Sequence, residues 1–241
     1  MPNPKHLHFQ AVEGREVSAL LLTPKNAKFL LVLAHGAGAS MTHPFMQSLS
    51  EALAAQSIAT FRYNFPYMEE ARRIPDRPPT LTATVAAAVN TAANLAPNLP
   101  IFAGGKSLGA RMTSQGAAQN LLSTTRGLIF FGFPLHPPNR PDTKRATHLD
   151  DVTLPMLFLQ GTRDTLADLS LLRPIVKKLA KHATLHTIDT ADHSFHVLKS
   201  AKKSDSEVLQ ELTATTAAWM EENVSRSGSN FKSPDVAGGE K

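Results

Sequence analysis

No cysteine occurs anywhere in the 241 residues, which excludes a disulfide framework and any thiolate metal site. Long apolar runs are missing too. Nothing approaches the ~18 consecutive apolar residues of a membrane span, and the opening Met1-Pro2-Asn3-Pro4-Lys5-His6 lacks the apolar core of a secretory signal. A cytoplasmic location is therefore the expectation. The formal net charge is +5, yet the basic residues do not gather into a nucleic-acid face. Lys177-Lys178 with Lys181, Lys199 with Lys202-Lys203, and Arg72-Arg73 are each broken by apolar or acidic neighbours, with no interleaved aromatics on which bases could stack. Such a charge bears on solubility and weak association, and no nucleic-acid partner is expected. No internal repeat is visible. His182 and His186 lack the His-Glu-x-x-His pattern, so zinc is not expected, and no other cofactor is expected either.

What the chain does contain is a globular composition, 42% hydrophobic and 19% charged, at a length that can bury a full core without staples. Leu7–Val12 and Val17–Leu22, around Glu13-Gly14-Arg15, predict an opening hairpin. From Phe29 onward, strands and helices are predicted to alternate. The strands are Phe29–Ala34, Ile58–Tyr63, Ile101–Ala103, Gly127–Phe131, Met156–Gln160 and Thr184–Ile188. The helices are His43–Gln56, Leu81–Ala96, Leu108–Leu122, Leu171–His182 and Glu207–Asn223, with a proline-bearing loop over Phe65–Pro79. This alternation argues for a mostly parallel central sheet with helices on both faces, the α/β class. Residues 1–224 read as one domain. From Ser225 the chain turns to Ser, Gly, Asn, Pro and Lys without apolar period, and 225–241 is expected to be a disordered tail.

The most informative stretch is Gly105-Lys106-Ser107-Leu108-Gly109, which fits Gly-x-Ser-x-Gly, a serine presented on a tight strand-to-helix turn. The glycines Gly105 and Gly109 flank a residue in a strained conformation, where a Cβ would meet a neighbouring strand or helix. The Gly-Lys-Ser letters also end a phosphate-binding loop, but that loop needs a glycine where Pro100 stands, and proline offers no N–H to a phosphate.

A serine hydroxyl needs a general base, and the base needs an orienting carboxylate. In this architecture acid and base follow the serine, each in a loop after a later strand. Asp164 falls just past the Met156–Gln160 strand and His193 just past the Thr184–Ile188 strand. Asp168 is the substitute acid, although it lies nearer the next helix and could as well cap it; His193 is preferred to His196 because it sits in the polar turn. The other histidines are expected to be structural or at the surface. An oxyanion needs N–H donors. Leu108, at the head of the helix after Ser107, supplies one, and Ala37, in the loop His35-Gly36-Ala37-Gly38-Ala39-Ser40, is the candidate for the second.

These residues carry a resemblance. His35-Gly36-Ala37-Gly38-Ala39, Phe61–Tyr67, Gly104–Arg111, Gly132–Pro138, Gln160–Asp164 and Asp192–Phe195 together resemble the α/β-hydrolase superfamily, and most closely its small dienelactone-hydrolase-like branch, which includes the KANSL/TEX-type hydrolase-like proteins. The resemblance implies an α/β-hydrolase fold and a serine hydrolase of ester or thioester bonds, working on a small-molecule or acyl substrate through an acyl-enzyme intermediate. It implies Ser107 as nucleophile, His193 as base, Asp164 as acid, and Ala37 with Leu108 as oxyanion donors. Dienelactone hydrolase itself carries cysteine at the nucleophile, and Ala110 stands where a glycine is common. Some relatives are thought to act as interaction subunits, so a non-catalytic interaction module is the alternative. Larger relatives insert a helical lid where Phe133–Leu154 lies. Here that segment holds Pro134, Pro137, Pro138 and Pro141 and few apolar residues, so an open or lightly covered site without a large lid domain is expected.

Overall fold

The computed structural model describes residues 3–229. An eight-stranded sheet runs through it, built from β1 (Lys5–Val12), β2 (Arg15–Leu22), β3 (Phe29–Ala34), β4 (Ile58–Tyr63), β5 (Ile101–Lys106), β6 (Thr125–Phe131), β7 (Met156–Gly161) and β8 (Ala183–Ile188). The spatial order is β1-β2-β4-β3-β5-β6-β7-β8. β1 and β2 form the opening hairpin, and β2 joins β4 antiparallel; every pairing from β4 to β8 is parallel.

The central strands are apolar throughout because both faces are covered. In β3, Leu30, Val32 and Ala34 join the core under α3 (Pro78–Leu95), α4 (Leu108–Ala118) and α5 (Leu169–Leu179). Phe29, Leu31 and Leu33 point the other way, to α1 (Pro44–Ala55) and α6 (Asp205–Ser229). This period of two distributes one strand between two cores. Trp219 of α6 is edge-on to Phe102 at 6.0 Å, closing the α6 side over the middle of the sheet. No helix among the described residues is long and apolar enough to cross a membrane.

Several boundaries differ from the expectations. β5 continues past Ala103 through Gly104 and Gly105, residues of low strand propensity that hydrogen bonding to both neighbours nevertheless keeps extended. α3 starts at Pro78, where a proline at the first helical position loses no bond. The expected loop before it contains a one-turn helix, α2 (Pro66–Glu69). α4 stops at Ala118, short of Leu122, and the helix before β8 tightens into a 3-10 turn over Ala180–His182. α6 runs on to Ser229, into the segment expected to be tail; residues 230–241 lie outside the described residues.

The segment 133–154 forms a 3-10 helix, Lys144–Asp151, with Ala146 and Leu149 buried beside α4 and α5. This turn covers that flank of the domain, while the stretch before it runs beside the loop after β7, where His136 accepts from the Asp168 N–H; no large extra domain is present among the described residues. The order β4-β3-β5 makes β3 a topological switch point, because the chain leaves β3 for one side and β5 arrives on the other. Crevices outside the carboxyl ends of strands at such points are where open α/β sheets bind ligands.

Candidate active site

Ser107 sits between β5 and α4 with φ 52° and ψ −112°, a left-handed conformation that costs a non-glycine residue roughly 1–3 kcal/mol. Its neighbours make the turn possible. A Cβ on Gly105 would lie 2.6 Å from the Ala34 carbonyl oxygen and one on Gly109 only 2.4 Å from the same atom. The end of β3 thus passes so close to the turn that only hydrogen fits at either position.

The loops after β7 and β8 bring Asp164 and His193 to this serine. His193 Nε2 is 2.9 Å from Ser107 Oγ, and His193 Nδ1 is 2.7 Å from Asp164 Oδ2. The Asp164 side chain is fully buried and that of His193 21% exposed, so one end of the chain of contacts is dry and the other opens on the cleft. Asp164 is tied down from two sides: the Leu166 N–H donates to Oδ1 at 2.8 Å, and the Gln160 amide donates to Oδ2. Gln160 in turn accepts from the Phe133 N–H at 2.9 Å, which links the carboxylate to the end of β6. The arrangement holds the imidazole by its far nitrogen and leaves the near one to exchange a proton with a hydroxyl.

A cleft of about 590 Å³ opens over the serine, lined among others by Gly36, Ala37, Lys106, Ser107, Leu166 and His193. Ala37 occupies the turn after β3, and Leu108 is the first residue of α4, whose N–H has no partner within the helix. The helix dipole favours negative charge at that end. No residue of 133–154 lines the cleft.

The alternatives weighed from the sequence have other partners. Asp168 caps α5 by accepting from the Ser170 N–H at 2.8 Å. His196 pairs with Asp205 at 2.6 Å, and that partner raises its pKa. Asp192 accepts from the N–H groups of Ser194 and His196, bracing the turn that carries His193. His43, expected to be structural or at the surface, caps α1 through Nδ1 and also borders the cleft.

Three contributors were not legible from the sequence. Gln160 reads as a strand end, and only the pairing of β6 with β7 reveals its double bond. Lys106 extends its ammonium to the His193 carbonyl oxygen at 2.6 Å and lies 5.5 Å over the Phe195 ring. Burial pushes that amine down to about 8, against the pull of Asp164 and Asp192. The third is His35, which is fully buried; its Nε2 accepts from the Phe65 N–H at 3.0 Å while its Nδ1–H donates to the Gly36 carbonyl at 2.8 Å. Burial pushes its pKa down to about 4, so the neutral ring pins the loop that carries Ala37. The sequence signal for His35 is its place directly before the glycine turn.

The fold is shared with a dienelactone hydrolase from Anabaena variabilis, which is 18% identical at a TM-score of 0.71 over 92% of this chain and 99% of that one. An alpha-beta serine hydrolase homologue from Coxiella burnetii is 16% identical at a TM-score of 0.71, covering 91% and 99%. A serine hydrolase described as without a lid, from Xanthomonas campestris, is 18% identical at 0.67, covering 94% and 96%. Residues 27–221 match the family described as the alpha/beta hydrolase domain. With that match spanning most of its length, and with a mostly parallel sheet whose strained serine follows β5, beside the switch point at β3, the chain belongs to the alpha/beta hydrolase domain family.

Proposed function

We propose that the protein is a serine hydrolase that cleaves ester or thioester bonds of small or accessible acyl substrates through an acyl-enzyme intermediate. The observation that carries this reading is the continuous contact from Ser107 Oγ through His193 to buried Asp164, at 2.9 and 2.7 Å, at the floor of an open cleft. As Ser107 Oγ attacks the substrate carbonyl carbon, its proton passes to His193 Nε2, and Asp164 stabilises the resulting imidazolium. The carbonyl electron pair moves to the oxygen, where the N–H groups of Leu108 and Ala37 receive the charge. When the tetrahedral species collapses, the bond to the leaving oxygen or sulfur breaks, and His193 returns its proton to that atom. Water, deprotonated by the same imidazole, then releases the acyl group and restores the serine.

Ser107→Ala is expected to lower kcat/KM on p-nitrophenyl acetate by about 10⁴ or more, with an unchanged melting temperature. A fluorophosphonate is expected to label the wild-type protein and not the variant. An unchanged rate in Ser107→Ala removes Ser107 as nucleophile. A wild-type protein that neither hydrolyses the ester nor takes the label is an interaction module instead.

A further inference from the structure

A second depression, of about 440 Å³, adjoins the cleft and shares Pro44, Phe45, Ser194 and His196 with it. It lies between the start of α1, the turn after β8 and the first turns of α6. Its lining is mostly apolar, with Phe45, Phe195, Val208, Leu209 and Leu212 beside the polar Ser48, Asp205 and Ser206. Phe45 stacks on Phe195, with ring centres 5.8 Å apart and planes within 13° of parallel. Phe195 holds this position at φ 66°, which is sterically disfavoured for a bulky side chain. The strain is held by Asp192, whose carbonyl accepts from the Phe195 N–H at 3.0 Å and whose carboxylate accepts from both flanking residues. The Lys106 ammonium also lies over the Phe195 ring, 5.5 Å from its centre. Phe195 thus lines an apolar channel within reach of the charged neighbourhood of His193. At the lip, His196 and Asp205 pair with each other at 2.6 Å.

We propose that this channel is a substrate subsite that takes an unbranched alkyl or aryl arm of the ester cleaved at Ser107; the proposal rests on the reading of Ser107 as nucleophile. Continuity with the cleft lets a single molecule reach both places. The apolar walls reward hydrocarbon, and the shallow open form suits an arm of a few carbons rather than a long lipid. The arm belongs to the acyl side or the alcohol side of the ester, and both present the same chemistry to the channel.

The test is a pair of ester series with the full-length protein: p-nitrophenyl acetate, butanoate and hexanoate for the acyl side, and methyl, butyl and 2-phenylethyl acetates for the alcohol side. In one series kcat/KM is expected to rise by about tenfold or more from the shortest member, each buried methylene contributing up to about fourfold. Leu209→Glu, which brings a carboxylate into the channel, should reduce that long-to-short ratio to about 1, and Leu209→Met should keep it. Wild-type ratios that are flat in both series overturn the subsite, whatever the variants do. Fluorophosphonate labelling separates the two failures: a labelled protein with flat ratios loses the channel but keeps its nucleophile, whereas an unlabelled wild-type protein loses both.

Discussion

His35 shows how a single buried side chain couples the site to pH. Its Nε2 accepts a backbone N–H, and a second proton there would set two donors against each other in a dry environment. The folded state therefore holds the ring neutral down to about pH 4, while in the unfolded chain it takes a proton near the ordinary histidine value of 6.5. Between these values the unfolded state binds more protons, so stability falls as pH is lowered from 6.5 toward 4 and is fully present above that window. The difference corresponds to about 3 kcal/mol. His148, whose pKa burial also lowers to about 4, acts in the same direction. Urea midpoints measured from pH 7 to pH 4 are expected to drop steeply for the wild type. In His35→Gln that drop is expected to be shallower, from a lower starting stability, because the acid-sensitive ring is gone. An equal slope in both proteins would remove His35 as the source.

Among the elements, the turn from β5 into α4 is the most tightly determined. The Ala34 carbonyl oxygen lies where a Cβ on either Gly105 or Gly109 would go, and backbone cannot give way as a flexible side chain can. Gly109→Ala is expected to destabilise by about 3 kcal/mol or more, read as a shift in the urea midpoint, or to prevent soluble expression. A midpoint like that of the wild type would show that β3 and the turn can separate at little cost. This element was legible in the sequence because its glycines serve a local geometry that a short pattern records. The one-turn α2 and the continuation of β5 were not, since the first is too short for a period and the second consists of glycines kept extended by neighbouring strands. That Asp164 and His193 lie just past strands was legible; the contacts of Gln160 with Phe133 and of Lys106 with His193 were not, because they join elements far apart in sequence.

At the scale of the whole molecule, the absence of a lid over the strand ends among the described residues has a kinetic consequence. A covered site must open before catalysis, and such opening can be driven by an oil–water surface. Here residues 144–151 pack on the α4 and α5 flank, and no residue of 133–154 lines the cleft. Hydrolysis of a short-chain ester is therefore expected to follow one hyperbola as its concentration rises through the solubility limit. An abrupt rise in rate at that limit would show that a moving cover exists. The sole tryptophan, Trp219, is packed between α6 and the sheet, so its fluorescence follows the integrity of this layer in the same samples.

The sequence by itself determined the alternation of strand and helix, the class of sheet that follows from it, and the order of serine, acid and histidine along the chain. These are local matters: periodicity, turn residues, and side chains placed just past strand ends. Only the tertiary structure decided that the hydroxyl, imidazole and carboxylate meet at hydrogen-bond distance, that His35 is dry, and that a strained Phe195 lines an apolar channel beside the cleft. Each of these depends on how neighbouring strands stack and on which loops share one rim of the sheet, and no window of consecutive residues carries that information.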